Sequence, residues 1–381
     1  MCKQNAMFLF RKKRSEEKAI SLSALTWKRF KKEKVGMISL IFLCFVFLMA
    51  VLGYFITPDK TPFCNDQHLE IALQPPGFSV YFLNTPKEPP VEKVGIFRKM
   101  LFGQSAQYTS VPVLDDFFYH KGRKECTKDT KIDSALCEKT LVNFVANDIE
   151  NPNTFLQKKT FWLGTDRYGR DLLSQLMLGA RISLAVGFVA VFIALLIGVF
   201  VGAIAGYYGG KIDAALTWLI NVVWSIPTLL LVIAISFALG KGFWQIFIAI
   251  GLTMWVDIAR VVRGQTLALK QQDFVEAGKA LGFSNFRIIF KHILPNILGT
   301  LVVLSAANFS SAILMEAGLS FLGMGVQPPI PSWGMMMKEN YVYIVLDKAY
   351  LAIAPGIAIM LLVLAFMLIG SALRNAMEVK K

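Results

Sequence analysis

The residues with chemical potential in this chain are few, and their spacing argues against covalent chemistry. Its three histidines, His68, His120 and His292, lie far apart, and no H-E-x-x-H, G-x-S-x-G or paired-carboxylate motif occurs. The five cysteines, Cys2, Cys44, Cys64, Cys126 and Cys137, form no C-x-x-C and have no nearby histidine pair, which argues against zinc. No G-x-x-x-x-G-K-[ST] is present. Gly210-Lys211 lacks the upstream glycine and the following hydroxyl, so the chain does not cradle ATP phosphates by that route. What remains is charge in unusual surroundings. Glu316 stands in an otherwise apolar stretch, where an acid is costly enough that a functional site is the default reading. The bland alternative is an acid near an interface that pairs or hydrogen-bonds there. Asp166, Arg167, Arg170 and Asp171 surround Gly169, a pattern suited to a hydrogen-bonded turn that braces a helix entry, with gating as a compatible second role.

The elements that must position these groups are membrane helices. The sequence is 55% hydrophobic and has several apolar runs of about 20 residues, the length that crosses a bilayer. Six are predicted, at residues 36–56, 182–207, 214–239, 243–258, 297–322 and 350–373. The fold class is therefore all-α and polytopic. The first run is too long for a cleaved signal and lacks an A-x-A exit, so it reads as a span that starts in the cytoplasm. The net charge of +14 would suit nucleic acid, but the excess lies beside the spans without interleaved aromatics. The positive-inside rule explains it instead: alternation puts both termini in the cytoplasm, together with Arg260, Arg263, Lys270, Lys279, Arg287 and Lys291. Residues 1–35 form a basic cytosolic segment, with Trp27 and Phe30 placed for the lipid headgroup level. Residues 57–162 read as a mixed extracytoplasmic insertion with short strands such as 78–83, and Cys126 and Cys137 are a candidate disulfide there. Leu172, Leu173, Leu176 and Met177 mark an interfacial helix just before the second span. Gly187, Gly198, Gly202 and Gly206 allow close helix packing, and Pro227 should kink the third span, as happens where a path opens. The core of five further spans runs over 163–374, and 375–381 form a cytosolic tail.

Within the core, residues 260–296 make a polar, basic island between apolar runs. The part from 273 to 296, DFVEAGKALGFSNFRIIFKHILPN, reads as helix, turn, helix. Phe274, Ala277, Ala280 and Leu281 share one helical face, and Gly282 supplies the reversal. Ser284 or Asn285 caps the second helix, with Phe286, Ile289, Phe290 and Ile293 on one face, and Pro295 suits the start of the next span. Small residues at Ala277, Gly278 and Ala280 leave a flank that another protein could approach closely. On periodicity alone a plain hairpin joining two spans fits equally well.

Here a resemblance enters. Glu276-Ala277-Gly278, Gly282 and Ile293-Leu294-Pro295 resemble the "EAA…G…LP" loop of ATP-binding-cassette (ABC) importer permeases. G-T-D-x-x-G-R-D at 164–171 resembles the signature before the second core helix in dipeptide, oligopeptide and nickel importer permeases, as do LSFLG, GVQPP and PSWG within 319–334. Gly278 departs from the usual second alanine, whereas His292 matches the peptide-importer branch. Ser371 and Asn375 depart where acids are usual. The resemblance covers the first helix and roughly 163–374, while the insertion is longer than usual and mostly unmatched.

The resemblance implies a non-catalytic permease subunit in the bacterial cytoplasmic (inner) membrane. It implies a homologous second permease, two ABC ATPase subunits that carry ATP and Mg, an extracytoplasmic substrate-binding protein, and no cofactor on this chain. The loop would be the coupling helix. Asp273, Glu276, Ala277, Gly278 and Ala280 would transmit force, Gly282 would set the angle between the short helices, and Arg287 would touch the ATPase. Glu316, Pro227, Asp166, Arg170 and Asp171 are the translocation or gating candidates. Peptides are the expected cargo, and nickel or another small solute the alternative. An ion-coupled carrier built on Glu316 is a reading from another class, but it leaves the 273–296 loop without a purpose; a membrane scaffold whose insertion binds partners outside is a third.

Overall fold

The computed structural model describes residues 22–87, 95–113, 156–240 and 242–377; Cys126, Cys137 and His120 lie outside them. Helix α1 (Leu22–Phe30) leads into α2 (Lys34–Ile56). The next segment holds a three-stranded antiparallel sheet of β1 (Phe78–Pro86), β2 (Tyr108–Val113) and β3 (Leu156–Phe161), ordered β2-β1-β3, with α3 (Ile96–Phe102) between β1 and β2. Alternation along β1 puts Val80 and Phe82 into a small core with Ile71 and Phe161, while Tyr81 faces out. Then come α4 (Leu172–Tyr208), α5 (Gly210–Ser225), α6 (Thr228–Leu239), α7 (Phe243–Lys270), α8 (Asp273–Ala280), α9 (Asn285–Phe321), α10 (Trp333–Asn340) and α11 (Tyr350–Met377).

Among the described residues five helices, α2, α4, α7, α9 and α11, are long and apolar enough to cross a membrane; α5 and α6 together make a sixth candidate. This last pair corrects the sequence reading of the third span. Pro227 does not kink one helix there; it caps α6 after a break, and α5 and α6 meet at 94°. Proline has no N–H to continue the helical ladder and fixes its own φ, so the chain turns where a gentle bend was expected. A second correction concerns the interfacial helix expected at 172–177. It is the first turn and a half of α4, a single helix of 37 residues. At 1.5 Å per residue this spans roughly 55 Å, well beyond a hydrocarbon core of about 30 Å.

The seam between α4 and α7 explains the glycines. A Cβ on Gly198 would come within 2.6 Å of Ile258, on Gly202 within 2.4 Å of the Ala259 carbonyl, and on Gly206 within 2.7 Å of the Arg263 carbonyl. Lipid tails are as apolar as the side chains, so burial alone does not join two spans; close backbone contact does. The matched numbers rise together, so α4 and α7 run parallel. α9 and α11 run antiparallel, with Gly370 against Ala306 and the Ser310 hydroxyl donating to the Val363 carbonyl at 3.1 Å. Phe30 of α1 is buried against Ala372 and Ala376 of α11, and Trp27 stacks on it with ring centroids 5.7 Å apart.

Candidate coupling hairpin and braced turn

At the end of α4 and α7 that carries Tyr208 and Lys270, the chain builds a compact helical hairpin. α8 closes with both hydrogen bonds of a Schellman turn. The Gly282 N–H donates to the Lys279 carbonyl at 2.9 Å and the Phe283 N–H to the Gly278 carbonyl at 3.0 Å. Gly282 has φ 74°, the left-handed region that costs a side-chain-bearing residue energy. Ser284 then caps α9, its Oγ accepting from the Arg287 N–H at 3.4 Å. Ile288–Ile293 form a π-helical turn, with the Leu294 N–H reaching back five residues to the Ile289 carbonyl. The cause lies just downstream: Pro295 offers no donor to the Lys291 carbonyl, and its ring crowds that turn. Asn296 supports the widened backbone by donating its side-chain amide to the His292 carbonyl at 2.6 Å. Pro295 therefore lies inside a continuous helix of 37 residues, α9, so the second arm of the hairpin and a membrane-length helix are one rigid body.

The inward and outward faces differ from the sequence expectation. Val275, Gly278, Ile288, Ile289 and Ile293 are buried, and all but the glycine join the core that holds Ile258, Ala259 and Val262 of α7. Burying Val275 and each isoleucine contributes about 1.5–3 kcal/mol where water is displaced, so the hairpin sits firmly. Gly278 is not on the outer flank. A Cβ there would meet the Phe283 ring at 3.3 Å, which makes it a packing residue. Phe286 and Phe290 do not share the face of Ile289 and Ile293; they stack on each other at 4.3 Å and point outward, because the π turn shifts the register. Phe274, Ala277, Ala280, Leu281, Phe286 and Phe290 are all exposed, Leu281 at 72% and Phe286 at 69%. Asp273, Glu276, Lys279, Arg287 and Lys291 are exposed around them. Arg287 stacks on the Phe283 ring at 4.0 Å, and the His292 ring stacks on the same Phe283 ring with centroids 5.6 Å apart. Outward apolar side chains with a charged rim on a rigid support are the character of a protein-docking surface. The hairpin is also tied to α4, whose buried Tyr207 has its hydroxyl 2.8 Å from the Asn285 side-chain oxygen.

At the opposite end of α4 the structure assembles the other candidates. The Asp166 carboxylate accepts from the backbone N–H groups of Tyr168 and Arg170, each at 2.9 Å, and from the Arg170 Nε at 2.6 Å. Arg170 reaches on to Glu339 of α10 at 2.9 Å, and Arg167 meets the same carboxylate at 3.2 Å. Asp171 caps α4 by accepting from the N–H and the hydroxyl of Ser174. Burial pushes the Asp171 carboxyl up from its ordinary range, against the pull of the Ser174 hydrogen bonds. The Gly169 backbone passes so close to the His68 carbonyl that no Cβ fits. Nearby, burial raises the Asp66 carboxyl, but the hydrogen bond and charge of His68 and the charge of Lys159 outweigh it, and the group ends below its ordinary range.

Glu339 escaped the sequence reading because Asp166 and Asp171 already balanced Arg167 and Arg170 locally, leaving no visible deficit. Arg181 of α4 was missed as well; it donates to four backbone carbonyls, those of Ala50, Val51, Met100 and Leu101. So was the Arg263–Asp213 pair, which joins α7 to α5 at 2.5 and 2.7 Å. Glu316 is fully buried on α9; its Oε1 accepts from Ser320 at 2.6 Å and its Oε2 has no protein partner. Trp333, in the PSWG motif, is buried, its Nε1 donating to the Leu176 carbonyl at 2.8 Å and its ring lying against Gly179. That close approach over a glycine draws it inside. Glu316 reaches the N-cap of α10 through Ser320 and Ser332, the Asp166 cluster reaches the same helix through Arg170 and Glu339, and Pro227 lies at the α5–α6 break.

Comparison with known proteins places this architecture. A family described as "binding-protein-dependent transport system inner membrane component" matches residues 198–379, and one described as "N-terminal TM domain of oligopeptide transport permease C" matches residues 21–76. The dipeptide transport system permease protein DppC of Alkalihalophilus pseudofirmus is similar to this chain, 41% identical over 60% of this chain and 76% of that protein. The glutathione transport system permease protein GsiD of Escherichia coli is 42% identical over 58% and 72%. Among solved structures, the inward-facing MetNI methionine ABC transporter is similar over 55% of this chain and 98% of that chain, at 21% identity and a TM-score of 0.45.

Proposed function

As the chain belongs to the binding-protein-dependent transport system inner membrane components, we propose that it is the permease subunit of a peptide importer and that α8 with the start of α9 is its ATPase-coupling surface. It is a multi-pass membrane protein of the ABC importer permease kind. The dipeptide and glutathione carriers among its relatives support peptides as cargo.

The observation that carries the coupling reading is the uncovered strip of Phe274, Leu281, Phe286 and Phe290, held on the same rigid helix that continues as a membrane-length span. In this reading a homologous permease completes the path and two ABC ATPase subunits bind ATP with Mg. A binding protein delivers the cargo on the insertion side of the inner membrane. Closure of the ATPases pushes on Leu281 and Phe286. Because Val275, Ile288 and Ile293 lock the hairpin into the core, the push turns α9 as a lever, and the Tyr207–Asn285 contact carries it into α4. Asp273, Glu276 and Arg287 orient the docked partner through charge. The parallel packing of α4 and α7 supports six crossings, since α5 and α6 must return the chain across the same thickness. Both termini and the hairpin then lie in the cytoplasm, and the sheet lies outside.

Cysteine capture of a co-expressed ATPase subunit tests this. In a background without native cysteines, labels at Leu281 and Phe286 should cross-link in a nucleotide-sensitive manner, and one at the buried Val275 should not. Equal capture at all three, or none with a folded ATPase present, overturns the docking surface.

A further inference from the structure

The segment between β1 and β2 lies in the stretch that neither matching family covers, yet α3 within it is built in an unusual way. α3, IFRKMLF, carries five large apolar side chains in seven residues; Met100 is half-buried and the other four are exposed: Ile96 at 74%, Phe97 at 80%, Leu101 at 55% and Phe102 at 62%. At 3.6 residues per turn, Phe97 and Leu101 share a face, with Ile96 and Phe102 flanking it. The helix has two basic residues, Arg98 and Lys99, and no acid.

Its position is fixed by three tethers. The Arg181 guanidinium holds the Met100 and Leu101 carbonyls at 3.0 and 2.8 Å while also holding the Ala50 and Val51 carbonyls of α2 at 2.9 and 3.3 Å. The Gln104 N–H donates to the Lys60 carbonyl at 3.0 Å. Gly103, which ends the helix, packs so closely on Tyr54 that a Cβ would lie 2.9 Å from its ring. The shared guanidinium therefore sets the last turn of α3 level with Ala50 and Val51, roughly a turn and a half before α2 ends. At that level α2 is still apolar and faces outward with Val51, Phe55 and Ile56, the surface a span presents to lipid. The exposed face of α3 continues it.

We propose that α3 is a membrane-surface anchor: it lies in the headgroup–acyl boundary on the insertion side, with Phe97 and Leu101 in the acyl region and Arg98 and Lys99 toward lipid phosphates. The short apolar helix with basic residues and no acid matches what a bilayer interface binds. Its function is to hold the sheet at a fixed height and tilt above the spans. The inference needs only that the chain crosses a bilayer and is independent of the coupling reading.

Spin-label accessibility tests it on the full chain. Phe97→Cys, and separately Leu101→Cys, would carry a nitroxide in a background without native cysteines, in vesicles of phosphatidylethanolamine and phosphatidylglycerol. Phe45→Cys, on the outward face of α2, and Glu70→Cys, in the exposed loop, give the lipid and water references. The expected result is oxygen collision exceeding nickel-chelate collision at both α3 sites, with a ratio near that of Phe45. A ratio near that of Glu70 would put the helix in water and overturn the proposal. Low collision with both reagents would mean that protein covers the helix, and would overturn it equally. If one labelled variant fails to fold, the other gives the same reading.

Discussion

The two ends of α4 handle charge in opposite ways. At the insertion end, Asp166, Arg170 and Glu339 are enclosed, and each finds its partner within the chain at hydrogen-bond distance. At the hairpin end, Asp273, Glu276 and Lys279 are exposed beside Phe274, Leu281 and Phe286, which no part of the described chain covers. Both regions carry motif-like sequences of similar polarity, so motif strength does not separate them. Completion does. A buried ion-pair knot is finished by the fold and braces it, whereas an apolar strip with a charged rim is finished only by something else. The same contrast recurs on a smaller scale in the insertion, where the sheet closes over Phe82 and Phe161 but α3 leaves Phe97 outside.

Stability measurements on the purified protein should break this comparison if it is wrong. The largest effect is expected for Arg170→Ala. It strands the buried Asp166 carboxylate, and removing one member of a buried pair costs about 3–5 kcal/mol, read as a large drop in the thermal midpoint. A drop as small as that of a surface change would mean that the knot is not a brace. Gly282→Ala should cost about 1–2 kcal/mol, since alanine must adopt the left-handed backbone of the Schellman turn; space is not the cause, because nothing lies within 4 Å of the added methyl. Its uptake defect should exceed its stability defect if the angle between α8 and α9 matters for coupling. The smallest stability effect, within about 0.5 kcal/mol, belongs to Leu281→Glu on the exposed strip. That variant should nonetheless lose ATP-driven uptake in vesicles containing the partner subunits. Retained uptake would remove the docking role and leave a plain hairpin.

Much of this was legible in order along the chain. The apolar runs at α2, α4, α7, α9 and α11 announce membrane-length helices because a bilayer demands length and apolarity of each span separately. The reversal at Gly282 and the capping at Ser284 are local backbone effects, readable for the same reason. The break at Pro227 was visible as a disturbance but not in its size. A proline marks where the ladder fails, while the angle of 94° depends on what the flanking helices pack against. Register around Pro295 was misread because a π turn changes which residues share a face. Phe286 and Ile289 looked like neighbours and end on opposite sides.

Sequence by itself determined the class of molecule, the approximate spans and the hairpin, which rest on composition, periodicity and short-range backbone preference, while the family came from the resemblance of its motifs. Tertiary structure alone decided which polar groups are satisfied. Glu339 completes Arg170 across 169 positions, Arg181 ties α3 to α2, and Gly278 turns inward beneath Phe283 while Leu281 turns out. Such choices depend on distances between segments far apart in the chain, and no local rule specifies which partner will arrive or which face will be left without one.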